Sequence, residues 1–191
     1  LEKIKQVVSV RKGETMFGLN MVVHKGKTIF IGDTSVHEYP TSEQMAEIAI
    51  STARVVRLFG FDPKVAFVSH STFGQPLTSR TKHIRDAVEI LKKMKVDFKF
   101  DGDMQPDVAL DEKYRELYPL SEIVGRANVL IMPGQHSAAI SYKIMKSMSS
   151  SKVIGPLLIG LNAAIEIAPL RCSTSEILNL ASVAAYSAGV I

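Results

Sequence analysis

The sequence has 191 residues, of which 46% are hydrophobic and 22% charged, and these values are typical of a globular domain and exclude a disordered chain. It contains no run of about 18 apolar residues, and its single cysteine excludes an internal disulfide or a cysteine-based zinc site. The net charge of +4 is not clustered, and tryptophan is absent. With no signal-peptide pattern either, we expect a cytoplasmic protein that binds neither nucleic acid nor membranes.

The last part of the chain is unusually poor in charge. Residues 119–191 carry 8 charged side chains, whereas the first 118 residues carry 34. A segment this apolar is expected to lie mostly in the interior or to be buried against another chain. The first residues, Leu1–Lys5, lack an initiating methionine and resemble the middle of an element. We therefore expect residues 1–191 to be a fragment of a longer polypeptide.

In chain order, the first predicted element is a β-hairpin with strands at Leu19–His24 and Thr28–Ile31. The T-x-x-Q sequence of Thr41–Gln44 is a capping box that starts a helix, and Gly60 ends it. Lys64–Ser69 is a short, continuous apolar run of the kind found in buried parallel strands.

Helices and strands continue to alternate along the rest of the chain. The spacing predicts a polar loop at His70–Thr81, helices at Lys82–Lys95, Asp107–Leu117 and Ser137–Met148, strands at Asp97–Phe100, Ala127–Met132 and Lys152–Ile154, and a last helix from the capping box Ser173–Glu176 to Ala188. This alternation predicts an α/β layer architecture, and the hairpin makes the sheet mixed.

Ligands of α/β sheets bind beyond the carboxyl ends of the strands, so the loops there are candidate sites. Ser69–Gly74 offers hydroxyl and N–H groups that suit a phosphate or carboxylate, or it merely caps the next helix. The carboxylates of Asp101, Asp103 and Asp107 could bind Mg²⁺, or form a solvated turn in which Asp107 caps a helix.

Two further residues have both a chemical and a structural interpretation. In Pro133–Ser137, His136 is a candidate general base, whereas Ser137 fits a helix N-cap. Cys172 precedes a helix N-terminus, which could lower the pKa of its thiol, but a small buried side chain is the preferred interpretation. The five histidines do not have metal-ligand spacing, and we expect no metal in this chain.

Five sequence blocks, in order, resemble a known family. Ser69–Gly74 is similar to its S-x-S-T-x-G, Asp101–Ala109 to D-G-E-[LM]-Q-x-D-x-A, and Gly125–Pro133 to G-x-A-N-V-L-I-x-P. Ile140–Lys143 matches I-x-Y-K, and Ile154–Leu161 matches I-G-P-x-L-x-G-L. The chain thus resembles the C-terminal part of the phosphate acetyl/butyryl transferase family.

This resemblance implies a three-layer αβα fold with a mostly parallel mixed sheet, similar to isocitrate dehydrogenase. The resemblance also implies an activity and a place for it. The family exchanges an acyl group between coenzyme A and phosphate in a cleft between two domains. Residues 1–191 would supply one α/β domain and parts of the other.

Departures from the family pattern fall at its reactive positions. Active members read D-L-S-R-G-C-S-x-x-D after the G-L pair, where the Ser and Arg contact the thiol and acyl group and the Asp is the proposed base. Here Pro169, Leu170 and Glu176 occupy those three positions, Arg171 comes one residue late, and Ala139 replaces an Asn. Because Pro and Leu offer no side-chain donor for developing negative charge, we expect no transferase activity and no catalytic residues in this chain.

The segment around Pro169 also resembles one subgroup, the phosphotransacetylase-like C-terminal domain of hybrid malic enzymes. The resemblance implies a parent that converts malate to pyruvate oxidatively, with NADP and a divalent metal bound by its N-terminal portion. It implies that this domain regulates the parent through acetyl-CoA and assists assembly, as a homodimer or higher oligomer. The alternatives are an active phosphate acetyltransferase or butyryltransferase and a structural domain without a ligand.

An acetyl-CoA site, or one for a related acyl-CoA or phosphate ligand, needs groups that bind a polyanion. We expect hydroxyl and N–H groups from Ser71, Thr72 and Gly74, and cationic side chains from Lys143 and Arg171.

Overall fold

The computed structural model describes residues 1–148 and 150–189, without the side chain of Glu2. Within them the strands are β1 (Phe17–His24), β2 (Lys27–Gly32), β3 (Lys64–Val68), β4 (Lys99–Met104), β5 (Val129–Ile131) and β6 (Lys152–Ile159). The helices are α1 (Glu2–Lys5), α2 (Ser42–Leu58), α3 (Ser79–Met94), α4 (Pro106–Leu110), α5 (Glu112–Arg115), α6 (Gln135–Met148) and α7 (Thr174–Ala188).

The strands form one sheet in the order β4-β3-β5-β2-β1-β6. The neighbours β4, β3, β5 and β2 are parallel, whereas β1 runs antiparallel to both β2 and β6. The predicted hairpin is present, with His24 opposite Lys27 at its turn. The expected mixed, mostly parallel sheet is therefore confirmed.

Apolar side chains cover both faces of the sheet and build two cores. On one face, Phe30 and Phe67 pack with α2, α3 and Leu180 of α7. On the other face, Ile31 packs with buried residues of α4 and α6, among them Ala138. The sheet thus lies between two helical layers, as the resemblance implied.

Local capping sequences set several helix ends. The Thr41 and Ser173 capping boxes both form as predicted. Helix α3, however, begins at Ser79 and not at Lys82. The reason is a further capping box, in which Thr78 Oγ1 accepts from the Thr81 N–H at 3.2 Å and Thr81 Oγ1 accepts from the Thr78 N–H at 2.7 Å.

The region around Asp101 differs from the prediction. Strand β4 runs on to Met104, so Asp101 and Asp103 lie in the sheet and not in a loop. The helix predicted from Asp107 is two short helices, and the N-cap of the first is Gln105. Asp111 has an extended backbone that ends α4, and its side chain caps α5 by accepting from the Lys113 N–H at 2.9 Å.

The expectation that the apolar last part lies in the interior is wrong for α6 and α7. Among their described residues, α6 buries only Ala138 and α7 only Leu180. Large apolar side chains on these two helices are exposed: Ile140, Ile144, Met148, Ile177, Leu178 and Tyr186. Burial against another chain remains the alternative for this surface. Of the helices described, none is both long and apolar enough to cross a membrane.

Candidate functional site

A cavity of about 490 Å³ opens beyond the carboxyl ends of the adjacent strands β2, β5 and β3. We call it the strand-end cavity. It is lined by Glu38, Tyr39 and Pro40 after β2, by Ser69 and His70 after β3, by Pro133, Gly134, His136 and Ser137 after β5, and by Ser79, Arg80, His83 and Ile84 of α3. This edge is where α/β sheets generally bind ligands.

Specific contacts fix the wall formed after β2. The imidazole of His83 has a partner at each nitrogen, with Nε2 2.7 Å from the Pro40 carbonyl oxygen and Nδ1 3.0 Å from Ser42 Oγ. On the other side, Gly134 lies so close to the Glu38 carbonyl that a Cβ would collide with its oxygen. These contacts hold the Glu38–Pro40 segment between α3 and α6.

The buried carboxylate of Asp33 holds the segment that follows β2 through hydrogen bonds. Asp33 accepts hydrogen bonds from backbone N–H groups, including that of His37 at 2.8 Å, and its Oδ2 lies 2.5 Å from Nδ1 of His37. Burial raises the pKa of Asp33, but the hydrogen bonds from His37, Gly18 and Ser35 outweigh it, so the pKa lies below its ordinary value. The charged form of Asp33 thus anchors the chain that leads into the cavity wall.

The strand-end cavity is lined by one arginine, Arg80, and one acidic side chain, Glu38. The imidazoles of His70, His83 and His136 also line it, and the exposed Glu38 carboxylate lies 3.4 Å from Nε2 of His136. The first turns of α3 and α6 border the cavity, and helix N-termini favour negative charge. Polar side chains and two helix N-termini therefore converge on this cavity.

The structure places Ser71, Thr72 and Gly74 in a buried loop next to the cavity. The Ser71 hydroxyl donates to the Asp103 carboxylate, which also accepts from the Gly74 N–H at 3.0 Å. Thr72 Oγ1 accepts from the Gln105 N–H at 3.2 Å. These groups are already hydrogen-bonded within the protein, and the three residues are not among those lining the strand-end cavity.

The carboxylates considered for Mg²⁺ are similarly engaged. Asp101 accepts from the Gly102 N–H at 2.9 Å and from the Glu122 N–H at 2.8 Å. Asp107 accepts from the Val108 N–H at 2.9 Å. Across the described ranges, 1–148 and 150–189, no three metal-ligating side chains are grouped. Asp101 and Asp103 therefore stabilise loops around β4.

A second, smaller cavity of about 200 Å³ lies between α6, β6 and α7, and we call it the α6–α7 cavity. It is lined by Tyr142, Lys143, Lys146, Val153, Ile154, Gly155, Pro156, Pro169, Glu176, Asn179 and Leu180. The fold thus brings together Lys143 and two of the altered family positions, Pro169 and Glu176. Leu170 and Arg171 follow Pro169 in an exposed turn.

Contacts within the α6–α7 cavity restrain Glu176. Its carboxylate accepts from the Ser173 N–H at 2.7 Å, from the Ser173 hydroxyl at 3.0 Å and from Lys146 Nζ at 2.9 Å. The backbone hydrogen bond from Ser173, followed by the bond from Lys146, lowers the pKa of Glu176 to about 2. Because a general base needs a free lone pair and a pKa near the working pH, this carboxylate is a poor base.

The sequence patterns do not single out Arg80 and His83 of the strand-end cavity, whereas His70 lies in the candidate loop Ser69–Gly74. His70 directly follows a strand, which is a usable signal. Arg80 and His83 have the i, i+3 spacing of one helix face. The pattern predicts the start of α3 at Lys82, three residues late, so it puts Arg80 in the preceding loop and only His83 in the helix. The sequence also places Ser137 as an N-cap, whereas it lies in the first turn of α6 and donates to the Gly134 carbonyl at 2.8 Å.

Comparison with known proteins agrees with the fold. The phosphate acetyl/butaryl transferase family matches residues 1–185. An NADP-dependent malic enzyme of Rhizobium meliloti (strain 1021) is 42% identical over 189 residues, which are 99% of this chain and 25% of that protein. A phosphate acetyltransferase of Clostridium acetobutylicum is 35% identical over 162 residues, which are 84% of this chain and 49% of that protein.

Solved structures show the same likeness. A phosphotransacetylase from Streptococcus pyogenes superposes with a TM-score of 0.90 and 29% identity, over 97% of this chain and 58% of that one. The chain therefore spans about a quarter of the malic enzyme and somewhat more than half of the phosphotransacetylase. On this match of sequence and fold, the chain belongs to the phosphate acetyl/butyryl transferase family.

Proposed function

We propose that this chain is the C-terminal phosphotransacetylase-like portion of an NADP-dependent malic enzyme. In this role it binds acetyl-CoA as an allosteric effector, assists assembly and has no transferase activity. The rest of the parent polypeptide would oxidise and decarboxylate malate to pyruvate in the cytoplasm, with NADP and a divalent metal bound outside this chain. The match to about a quarter of a malic enzyme at 42% identity supports this assignment.

The observation that carries the proposal is the state of the α6–α7 cavity. The family's proposed base corresponds to Glu176, which is held by Ser173 and Lys146 and has a pKa of about 2. Pro169 offers no donor where the family has a Ser, and Leu170 points into solvent where it has an Arg, being fully exposed. Negative charge that develops during acyl transfer therefore loses the two side-chain donors that the family places beside it.

The same cavity has features that suit an effector. Lys143 gives it positive charge beyond the Lys146–Glu176 ion pair, and Arg171 lies two residues beyond Pro169. Coenzyme A carries several phosphate groups, and cationic side chains form strong charge-assisted hydrogen bonds with such ligands. Acetyl-CoA bound at this surface would contact both α6 and α7.

Assembly through α6 and α7 follows from their exposed apolar side chains. Ile140, Ile144 and Met148 recur every four residues and so form one row along α6, and each is at least half exposed. A contiguous apolar surface of this kind is typical of an interface between protein chains. We propose that it pairs with a second copy as a homodimer or within a higher oligomer.

The test uses the full-length protein in two assays. Malate turnover with NADP is measured with and without acetyl-CoA, and acetyl-CoA formation is measured from acetyl phosphate and coenzyme A. We expect acetyl-CoA to alter malate turnover and the transferase assay to match a control without protein. Turnover in the second assay would overturn the proposal.

A second candidate is an active phosphate acetyltransferase or butyryltransferase. The 35% identity to a phosphate acetyltransferase favours it. It predicts acyl transfer above background in the same assay and no malate oxidation, so the two candidates give opposite results.

A further inference from the structure

We infer that Glu166 is a proton-controlled switch for residues 162–168, which follow β6 and which we call the post-β6 segment. When its carboxyl group is protonated, Glu166 holds this segment against β6. When the carboxyl group loses its proton to solvent, the segment is released. The inference rests on the surroundings of one side chain, and it depends neither on acetyl-CoA binding nor on the parent being a malic enzyme.

The first observation is that Glu166 joins the post-β6 segment to the edge of the sheet. Glu166 forms an antiparallel bridge with Leu157, and its Oε2 accepts a hydrogen bond from the Leu158 N–H at 3.2 Å. Because β6 is an edge strand, this contact lies on the side of β6 that β1 leaves open. A change in the charge of Glu166 therefore acts directly on the contact that holds the segment.

The remaining anchors of the post-β6 segment lie at its start and on its apolar face. The Asn162 N–H donates to the Ser9 carbonyl at 3.0 Å. Ile165 and Ile167, on either side of Glu166, pack against a small apolar cluster. Residues 168–171 are exposed. The segment is thus anchored through Asn162 at its start and through Glu166 near its end.

The second observation is the set of charged groups that face Glu166. A small cavity of about 110 Å³ lies beside it, and the charged residues that line this cavity are Arg11 and Glu14 before β1, Arg54 of α2, and Glu166 itself. Helix α7 contributes the uncharged Ser187. The Glu14 carboxylate lies 2.8 Å from Arg54 Nη1 and 3.9 Å from Arg11 Nη1. Arg11 Nε also donates to the Leu161 carbonyl at 2.9 Å. Both arginines of this cavity are therefore engaged by groups other than Glu166.

These pairings favour the neutral form of Glu166. Ionising a half-buried carboxyl group costs desolvation energy that a paired cation would offset, and the cations of this cavity are already paired. Burial accordingly raises the pKa of Glu166 to about 7, although the hydrogen bond from Leu158 lowers it in part. The stabilisation of the bound segment is complete below the ordinary pKa of 4.5 and is lost as the pH rises through about 7.

Release of the post-β6 segment would also affect the α6–α7 cavity. Pro169 directly follows the segment and lines that cavity. The turn after Pro169 leads to Ser173, whose capping box starts α7. The protonation of Glu166 therefore links pH near neutrality to the position of Pro169.

The experiment measures hydrogen exchange in the full-length protein by mass spectrometry at pH 6 and pH 8, with correction for the intrinsic exchange rates. A carboxyl group with a pKa of 4.5 when released and about 7 when bound makes opening about tenfold more frequent at pH 8. We therefore expect peptides covering residues 157–168 to exchange about tenfold faster at pH 8 after correction. Equal corrected rates at the two pH values would overturn the inference, and this comparison needs only the native protein.

Variants assign the effect to one side chain. Glu166→Gln retains an acceptor for the Leu158 N–H but is neutral at both pH values, so its corrected rates should be equal at pH 6 and pH 8. Glu116→Gln is the matched control, because Glu116 is exposed, and it should keep the native difference. A pH effect that persists in Glu166→Gln would belong to another group, such as Glu14, and would overturn the inference.

The exchange measurement separates this inference from the proposed function because it uses no ligand. If malate turnover does not respond to acetyl-CoA, the proposed function fails, and the expected exchange rates of residues 157–168 are unchanged. If acetyl-CoA acts but the exchange rates do not depend on pH through Glu166, the proposed function stands and this inference fails.

Discussion

Lys146 Nζ lies 2.9 Å from Glu176 Oε1, and this ion pair joins α6 to α7 across the edge strand β6. The same carboxylate completes the capping box of α7 by accepting from the Ser173 N–H. One side chain thus closes a helix end and links two helices, at the position where the family has its proposed base. The competing structural role explains why a carboxylate here does not indicate catalysis.

We predict that Glu176→Gln lowers the melting temperature at pH 7, because a Gln can complete the capping box but cannot pair with Lys146 as an ion. The pKa of Glu176 is lowered to about 2, so the stability gained from its charged form is present above the unfolded pKa of 4.5 and is lost as the pH falls through about 2. Melting curves between pH 2 and 7 should show the two proteins converging at low pH. A difference that stays constant over this range would contradict the prediction. Glu89→Gln, which breaks only an i,i+3 pair with Lys92 on α3, is the control.

Glu166 should make stability depend on pH in the opposite direction. Burial raises its pKa to about 7, with partial relief from the Leu158 N–H at 3.2 Å. The stability associated with the protonated form is complete below the unfolded pKa of 4.5 and is lost as the pH rises through about 7. We expect Glu166→Gln to match the native protein near pH 4 and to exceed it by about 1–2 kcal/mol at pH 8, after allowance for solvent screening.

Chemical denaturation at several pH values measures this effect. Glu116→Gln changes an exposed carboxylate and should show no such crossover. If the Glu166→Gln variant is less stable than the native protein at pH 8, the interpretation of Glu166 as a half-buried carboxyl group with a raised pKa is wrong.

We predict different effects for substitutions at Arg171 and at Thr72, which are both candidate residues for the acetyl-CoA site. Arg171→Gln is expected to raise the half-maximal acetyl-CoA concentration about tenfold or more, while malate turnover without effector stays near the native value. Thr72→Ala removes the acceptor for the half-buried Gln105 N–H and should cost about 1–3 kcal/mol of stability. Steady-state kinetics and denaturation of both variants check this. An unchanged response in both would remove these residues from the effector site.

The exposed row on α6 should control assembly. Ile144→Glu places a charge in the middle of this row and is expected to shift the protein toward monomers in sedimentation at micromolar concentration. Leu120→Glu is the matched control, since Leu120 is 93% exposed but lies in the segment beside β4, at the other edge of the sheet. If both variants sediment like the native protein, α6 is not part of the interface.

Features that depend on neighbouring residues were determined by the sequence alone. The β1–β2 hairpin and the capping boxes at Thr41 and Ser173 are present as predicted. Each rests on contacts within a few residues, so the sequence contains the whole arrangement. The α/β class followed from the alternation of these local elements.

Tertiary structure decided the length of β4 and the role of its acidic residues. Asp101 and Asp103 have the composition of a loop, yet they lie in a strand because β3 pairs with it from Lys64 to Val68. Their carboxylates accept hydrogen bonds from Ser71, Gly74 and Glu122, which are distant in the sequence. No local pattern reveals such partners.

Some residues of the candidate sites could be identified from the sequence, and others only from the fold. The sequence alone identified the altered positions Pro169, Leu170 and Glu176, since alignment to a motif needs no geometry. Only the fold brought Arg80, His70 and His136 to one cavity, from three elements that meet at the carboxyl ends of parallel strands. Only the fold showed that the Ser71 hydroxyl and the Gly74 N–H donate to the Asp103 carboxylate. The physical reason is that a hydrogen-bonding group can bind a ligand only if no protein group already holds it, and long-range packing determines that.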